Sequence, residues 1–340
     1  MRGTRKSSAR IVSMTDVARL AGVSAQTVSR VSNGSDAVKP DTRDKVLAAM
    51  KELGYRPNFA ARALKRGRFN AVGVITFDLG STGNLRALEG ITNAASEHGY
   101  AVTIGMMNWA DKPTLAEAVR KMKDMPVDAI IVILEHKPLD FDTFTPPPTI
   151  DVTLITTADS ATCSTIDSDQ YGCSRTIVEY FLEHGHRNVH YVSGPEDSIA
   201  NGERERGWRE TLEAHGITPP RVIHGDWQAE SGYDAGLQLA ATPGCTAVYA
   251  ANDNMANGVM LGVKAAGKRV PEDVSVIGVD DSLKSVVPRL NLTTVRLHFS
   301  KVGRMAFEQT LEVIEGRRSG ITHQLVPCTL IERDSVATLQ

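Results

Sequence analysis

The chain's 340 residues exceed what one hydrophobic core usually supports, and about 100–200 residues per domain predicts two or three units. With 41% hydrophobic and 23% charged residues and a longest apolar run of only Ala129 to Leu134, the composition argues against disorder and a membrane-spanning helix, and a basic start that reaches Asp16 without an apolar segment leads us to expect no secretory signal and a cytoplasmic protein. The net charge of −2 conceals a partition: residues 1–70 carry fifteen Lys and Arg against five acids, a net of +10, and the remainder carries −12, so a polyanionic partner is expected at the amino-terminal end only.

In chain order, Thr15 is placed to cap a short helix through Leu20, Gly22 breaks it, and Ser24 is placed to cap a second helix from Ala25 to about Val31. This is a helix-turn-helix pattern, with Val17, Leu20, Val23, Val28 and Val31 as the apolar contacts that hold the pair at a steep angle. A third helix over about Asp41 to Leu53 is predicted from Val46, Met50 and Leu53 at i, i+4 and i+7, with Gly54 as its stop. In such a headpiece the first residues of the second helix reach base edges in the major groove. Ala25, Gln26 and Arg30 are therefore the candidate readers: Gln26 suits adenine, Arg30 suits guanine, and Ala25 offers a methyl contact. Thr15, Ser24, Thr27, Ser29 and Asn33 suit phosphate contacts, which orient a protein on DNA without reading sequence. Asn58 to Lys65 is alanine-rich, follows Pro57, and runs into the basic stretch Lys65-Arg66-Gly67-Arg68. It is too short for an isolated helix in water, so it is either a plain linker or a segment that orders against a partner.

From Ala71 onward short apolar strands alternate with amphipathic helices. Val72–Phe77, Ala101–Met106, Ala129–Leu134, Val152–Thr156, Val189–Val192, Ala247–Ala250 and Val274–Val279 read as strands, with Leu85–His98, Tyr171–His184 and Asn254–Ala266 among the helices. Strict alternation predicts parallel sheets with right-handed crossovers. The break at Pro146-Pro147-Pro148 and the fresh start at Asp167–Tyr171 divide the body into two doubly wound lobes, with a ligand expected in the cleft beyond the strands' carboxyl ends. No glycine-rich dinucleotide loop, phosphate loop or nucleophile elbow is present, and adjacent Asp280 and Asp281 at a strand end should point apart, so neither an enzyme nor a cofactor is predicted. Cys163, Cys173, Cys245 and Cys328 form no Cys-x-x-Cys pair and are expected to be buried or idle thiols. His184, His186 and His190 lack a carboxylate or thiolate at ligand spacing, so no metal site is predicted.

The run Thr15-Asp16-Val17-Ala18-Arg19-Leu20-Ala21-Gly22-Val23-Ser24, with Thr27-Val28-Ser29-Arg30-Val31, Asn33-Gly34, Thr42-Arg43, Glu52-Leu53-Gly54-Tyr55, Pro57-Asn58 and Ala61-Arg62-x-Leu64, resembles the headpiece of the lactose/galactose repressor family. Lys39 stands where that family often has a serine cap. The resemblance continues through Asp169, Gly194-Pro195, Arg204, Gly207-Trp208, Asn252-Asp253, Gly278-x-Asp280-Asp281 and Leu292-Thr293-Thr294-Val295; Gly225-Asp226-Trp227 followed by Ser231-Gly232 is similar to the lactose-repressor branch. It implies an all-α helix-turn-helix headpiece joined to an α/β periplasmic-binding-protein-like sensor of two doubly wound parallel-sheet lobes. It also implies a homodimer whose hinge helices pair in the minor groove, with Asn58, Ala61, Leu64 and Lys65 on DNA and Leu64 wedged into a base step. Arg204, Trp227, Asn252, Asp280 and Phe299 match sugar-contacting positions, and the chemistry agrees: Arg, Asn and Asp meet vicinal hydroxyls while an indole packs on a pyranose face. After the first strand, Thr76 to Gly83 lacks the Asn-Pro-Phe-Phe signature common in the family, which leaves the amino-lobe half of the pocket open.

The organisation expected is a headpiece at 13–58, a hinge at 59–69, and an effector-binding and dimerisation domain at 70–334, its amino lobe at about 70–168 and 299–325 and its carboxyl lobe at about 169–297 and 326–334. The implied function is a repressor of pseudo-palindromic operator DNA with a sugar, galactoside or glucoside, as inducer. A solute-binding transport protein would share the sensor fold but would need an export signal and no helix-turn-helix. A sugar-acting enzyme would need an acid/base pair or a phosphate site.

Overall fold

The computed structural model describes residues 12–32, 35, 37–55 and 67–339, and the chain divides into two compact units at Phe69/Asn70. In the first unit, α1 (Met14–Ala21), α2 (Ala25–Ser32) and α3 (Pro40–Glu52) close over Val17, Val28, Val31, Val46 and Met50, all buried. The cap of α1 is Ser13, not Thr15: the Ser13 hydroxyl accepts from Asp16 N while the Asp16 carboxylate accepts from Ser13 N at 3.0 Å, a reciprocal capping box that leaves Thr15 as a first-turn residue. Leu20 is likewise not a core contact. It is 45% exposed, because Val17 and Ala18 already fill the buried face of this two-turn helix. Ser24 does cap α2, accepting from Thr27 N at 3.1 Å. Helix α3 starts at Pro40 without a side-chain cap from Lys39; proline at the first helical position has no N–H to satisfy there.

The second unit holds two six-stranded sheets. The amino-lobe sheet contains β1 (Ala71–Thr76), β2 (Ala101–Met106), β3 (Ala129–Ile133), β4 (Asp151–Ile155), β5 (Ser164–Ser168) and β11 (His323–Val326), in the all-parallel order β11-β5-β4-β3-β1-β2. The carboxyl-lobe sheet contains β6 (Val189–Ser193), β7 (Ile223–His224), β8 (Ala247–Ala250), β9 (Ser275–Val279), β10 (Thr293–Arg296) and β12 (Thr329–Ile331), in the order β12-β10-β9-β8-β6-β7, parallel except for the β10–β12 pair. Strands β5, β7, β10, β11 and β12 were not expected from hydrophobic runs. Ser164-Thr165-Ile166-Asp167-Ser168 is mostly polar, and β7 has two residues.

Helices cover both sheets. In the amino lobe α4 (Thr82–Glu97) and α10 (Phe299–Ile314) pack over Val72, Val74, Ile131 and Ile166, while α5 (Leu115–Lys123) covers Ile75, Ile130 and Leu154. Gly90 and Gly303 let α4 and α10 approach: a Cβ on Gly303 would lie 1.9 Å from Ala87 O, and one on Gly90 2.0 Å from Ser300 O. In the carboxyl lobe the helices are α6 (Gln170–Glu183), α7 (Ile199–Ala214), α8 (Ala229–Ala240) and α9 (Asp253–Ala265), around Phe181, Tyr191, Trp208 and Tyr249. The chain passes between the lobes at 168–170, 296–299 and 326–329. In each sheet the strand order reverses beside the strand that comes first in the lobe's chain order, β1 or β6, which opens a crevice at the carboxyl ends.

Candidate functional site

On the headpiece, Val28 and Val31 turn the apolar side of α2 inward and leave Ala25, Gln26 and Arg30 exposed at its start and outer face. Ser24 and Thr15 are exposed, Thr27 and Ser29 half-buried; Ser24 Oγ and Thr27 Oγ1 share a 3.0 Å hydrogen bond. Asn33, Asn58, Ala61, Leu64 and Lys65 lie outside the described residues, as does the expected hinge through residue 66.

A cavity of about 480 Å³ opens between the lobes of the second unit. All five residues matched to sugar contacts, Arg204, Trp227, Asn252, Asp280 and Phe299, line it. Each follows from local structure. Arg204 projects from α7 one turn before Trp208, whose indole donates to Val189 O at 3.0 Å and anchors the helix. The guanidinium is almost fully buried: Nε donates to Gln170 Oε1 at 2.8 Å and Nη1 donates to Ala251 O. Asp280 follows β9 with φ 108°, a conformation that costs an L-residue on the order of 1–3 kcal/mol. That turn aims Asp280 at the cavity, where its Oδ1 lies 3.9 Å from Arg204 Nη2, is buried, and has no hydrogen-bond partner. Asp281, with φ 52°, points the other way to Arg296 at 2.6 Å and Arg333 at 2.6 Å, so the two carboxylates do diverge. Asp253, at the start of α9, fastens this turn by accepting from Thr294 Oγ1 at 2.6 Å and Ser282 N at 2.7 Å.

Trp227 reaches the cavity from a residue with φ 70° after β7, its ring lying over Gly194, where a Cβ would come within 2.3 Å. The Arg204 guanidinium is 5.5 Å from the indole centroid. Asn252 caps α9 by accepting from Met255 N at 2.8 Å and donates one amide hydrogen to Trp227 O at 3.0 Å, so it holds both the helix and the indole loop. Phe299 opens α10 and lies against Gly83 on the amino-lobe side.

The amino-lobe wall, which the sequence left open, adds Asp78, Asn84 and Glu135; Asp167 and Gln170 come from the β5–α6 passage. Asp78 folds its own loop, accepting from Gly80 N at 2.7 Å and Ser81 N at 3.1 Å. Burial pushes the Asp167 and Asp280 carboxyls up to about 7 each, with Arg204 opposing the rise in both. Burial also raises Glu135, aided by Asp78 and opposed by His136 and Asn84. Among the described residues that line it, the cavity thus sets four carboxylates around one cation, Arg204. The missed carboxylates obey one rule: Asp78 follows β1, Glu135 follows β3, and Asp167 lies at the end of β5, all carboxyl ends.

Two of the three clustered histidines have structural partners, while the buried Nε2 of His190 has none. His184 Nδ1 lies 2.8 Å from Tyr180 O, and His186 lies 3.0 Å from both Thr246 Oγ1 and Ala337 O. No described helix is long and apolar enough to cross a membrane.

A helix-turn-helix unit followed by a two-lobed α/β body with a polar cleft is the architecture of a ligand-responsive DNA-binding regulator. Residues 13–58 match the bacterial regulatory proteins of the lacI family, and residues 178–336 match the periplasmic binding protein-like domain. The chain is 32% identical over 334 residues to the lactose operon repressor of Escherichia coli (strain K12), covering 95% of this chain and 90% of that one. A Lac repressor dimer bound to operator and the anti-inducer ONPF superposes with a TM-score of 0.83 at 29% identity, over 96% of this chain and 100% of that one. A complex of the transcriptional regulator CelR with cellobiose does so with 0.67 at 28% identity, over 95% and 99%. The chain belongs to the lacI family of bacterial regulatory proteins. It is a DNA-binding transcriptional regulator with an effector-binding domain, and not an enzyme.

Proposed function

We propose that this protein is a repressor that binds a pseudo-palindromic operator as a homodimer and is released by a neutral sugar, a galactoside or glucoside, held in the cleft between the lobes. The observation that carries this reading is the buried Asp280 oxygen without a partner, set beside Arg204, whose guanidinium lies 5.5 Å from the indole of Trp227 in the same cavity. A sugar hydroxyl supplies the donor that oxygen lacks, Arg204 donates to a neighbouring hydroxyl, and the indole covers an apolar sugar face. Asn252 contributes its remaining amide hydrogen, and Phe299 closes the opposite side. The excess of carboxylates over cations argues against anionic effectors such as uronates and sugar phosphates, whose charge would face Asp78, Glu135, Asp167 and Asp280 across the cleft. The cellobiose complex of CelR supports a small carbohydrate occupant.

On DNA, Arg30 and Gln26 read guanine and adenine, Ala25 makes a methyl contact, and Thr15, Ser24, Thr27, Ser29 and Asn33 hold phosphates. Asn58, Ala61, Leu64 and Lys65 enter the minor groove as a hinge. The deciding experiment is a thermal-shift screen of galactosides, glucosides, hexuronates and sugar phosphates, since a native-state ligand raises apparent stability by mass action. A neutral glycoside should shift the melt and weaken operator binding. A response to the anionic sugars alone would overturn the reading.

A further inference from the structure

Arg204 is the one cation among the described residues that line the cleft, and its guanidinium is held in a single orientation. Nε donates to Gln170 Oε1 at 2.8 Å, and Nη1 donates to Ala251 O, whose own N–H is bonded to Val192 O at 2.9 Å. Ser174 Oγ donates to the Arg204 carbonyl at 2.5 Å and fixes the backbone beneath. Two of the three guanidinium nitrogens are thus committed. Nη2 is the one left towards Asp280, whose Oδ1 lies 3.9 Å away without a hydrogen-bond partner. Because the guanidinium is a rigid plane, losing either bond frees it to turn Nη2 out of place.

Gln170 is the side-chain half of that clamp. It opens α6 where the chain enters the carboxyl lobe, is only 2% exposed, and lines the cavity. A guanidinium has donors and no acceptor, so the Gln170 oxygen has to face Arg204, and the amide nitrogen takes the other corner of the same plane. We infer that Gln170 is a specificity-determining residue of the cleft: its oxygen positions Arg204, and its nitrogen donates to an oxygen of the effector. This role rests on the sugar reading above and narrows which sugars fit.

Arg204 Nη2 and Gln170 Nε2 are donors in a cleft where Asp280 Oδ1 is an open acceptor. The effector must therefore carry neighbouring oxygens, one accepting from Gln170 and another donating to Asp280, as vicinal hydroxyls of a pyranose do. A deoxy position facing Gln170 leaves the amide hydrogens unpaired, and an ammonium there sets donor against donor. A site built to hydrogen-bond a hydroxyl rejects the analogue that lacks it far more strongly than an apolar pocket rejects a missing methylene. Deoxy sugars and amino sugars altered at that one position are excluded for this reason, and not by size.

The test titrates the full chain with methyl β-galactoside, methyl β-glucoside and their monodeoxy and monofluoro analogues, because fluorine accepts a hydrogen bond weakly and donates none. In the wild type, one ring position should prefer fluorine to hydrogen by at least about threefold. Gln170→Glu keeps the acceptor for Arg204 and loses the donor, so it should lose that preference. Gln170→Met, of similar length and with neither group, should in addition release the Arg204 Nε hydrogen, which should exchange with solvent at least about tenfold faster by nuclear magnetic resonance without sugar; Gln170→Glu should keep the slow exchange. A glycoside that binds without any such ring position, a fluorine preference that survives in Gln170→Glu, or Arg204 exchange unmoved by Gln170→Met would each overturn the role of Gln170 and leave the sugar reading intact. Failure of both glycosides to bind would overturn the sugar reading and the donor role with it, and the Arg204 exchange would still decide the positioning role.

Discussion

The clearest perturbation of the cleft is Asp280→Asn, which keeps the shape of the side chain and removes its charge. Burial holds the Asp280 carboxyl at about 7 in the folded chain against an ordinary 3.8, so its ionised form is penalised by folding. Three pH units correspond to about 4 kcal/mol. The sign follows from linkage: the penalty is absent below the ordinary carboxylate range, grows as pH rises towards 7, and is complete above it. The variant carries no such charge. At about pH 8 the ligand-free variant should be more stable than the wild type by up to about 4 kcal/mol, and the gap should close as pH falls towards about 4. Asp167 also titrates at about 7, but it is present in both proteins and cancels in the comparison. At roughly 2–4 °C per kcal/mol for a large domain, paired thermal melts across this pH range resolve the difference. The same substitution should lower sugar affinity on the order of 10- to 150-fold, the loss of a charged acceptor worth about 1.5–3 kcal/mol. A variant that melted at or below the wild type at every pH would refute the burial argument. An unchanged sugar titration would remove Asp280 from the binding site.

Arg30→Ala should relax operator preference at one base position by about 1–3 kcal/mol, read by selection from random DNA; an unaltered preferred sequence would exclude Arg30 as a reader. Gly194→Ala places a methyl 2.3 Å from the Trp227 ring and should tilt the indole off the cavity, reducing sugar affinity at least about tenfold by titration. Sugar should change tryptophan emission in the wild type and leave it unchanged in Trp227→Phe, which retains Trp109 and Trp208 as background. Ser13→Ala should destabilise the headpiece by about 1 kcal/mol in a chemical melt, whereas Thr15→Ala should have the smaller effect because Ser13 is the cap.

The headpiece was legible because its signals are local: Gly22 at φ 66° ends α1, and valines at helical spacing mark the buried face. Thr15 was mistaken for the cap because Ser13 and Thr15 are chemically equivalent candidates, and only the reciprocal Ser13–Asp16 bonds distinguish them. In the sensor, strands with continuous apolar runs, such as Ala129–Ile133, could be read, whereas β5 and β11 could not. Those two gain their strand character from pairing with each other across 158 residues of chain, His323 opposite Thr165, a long-range contact without a local signature. The cleft divides in the same way. Arg204, Trp227, Asn252, Asp280 and Phe299 were visible through resemblance, and all line one cavity. Glu135 and Asp167 were not visible, because a carboxylate at a strand's end looks like any solvated loop residue until the second lobe buries it.

That second lobe also meets the first through a strap beside the cavity. Ile199 N donates to Glu135 O at 2.9 Å, His136 pairs with Ser198 as an antiparallel bridge, and the Ile199 side chain packs on the amino-lobe core. The His136 ring stacks on Trp109 at 4.7 Å and 18°, with Nδ1 3.1 Å from Asp197 O. One backbone bond at about 0.5–1.5 kcal/mol and one half-buried isoleucine, worth roughly half the ~1.5–3 kcal/mol of a fully buried one, make the strap comparable to the ~1–3 kcal/mol that usually couples two sites. Glu135 and Ala200 both line the cavity, so the proposed sugar, filling the cleft, would touch both of the segments that the strap joins. A ligand shifts a conformational equilibrium only by the difference in its affinity for the two states, however tightly it binds. Arg204, Asp280 and Asn252 all belong to one lobe, and they can hold a sugar equally well at any lobe angle. On the proposed mechanism, contacts that would turn binding into a change of lobe orientation have to come from the amino-lobe wall, where Glu135 both lines the cavity and holds the strap through its carbonyl.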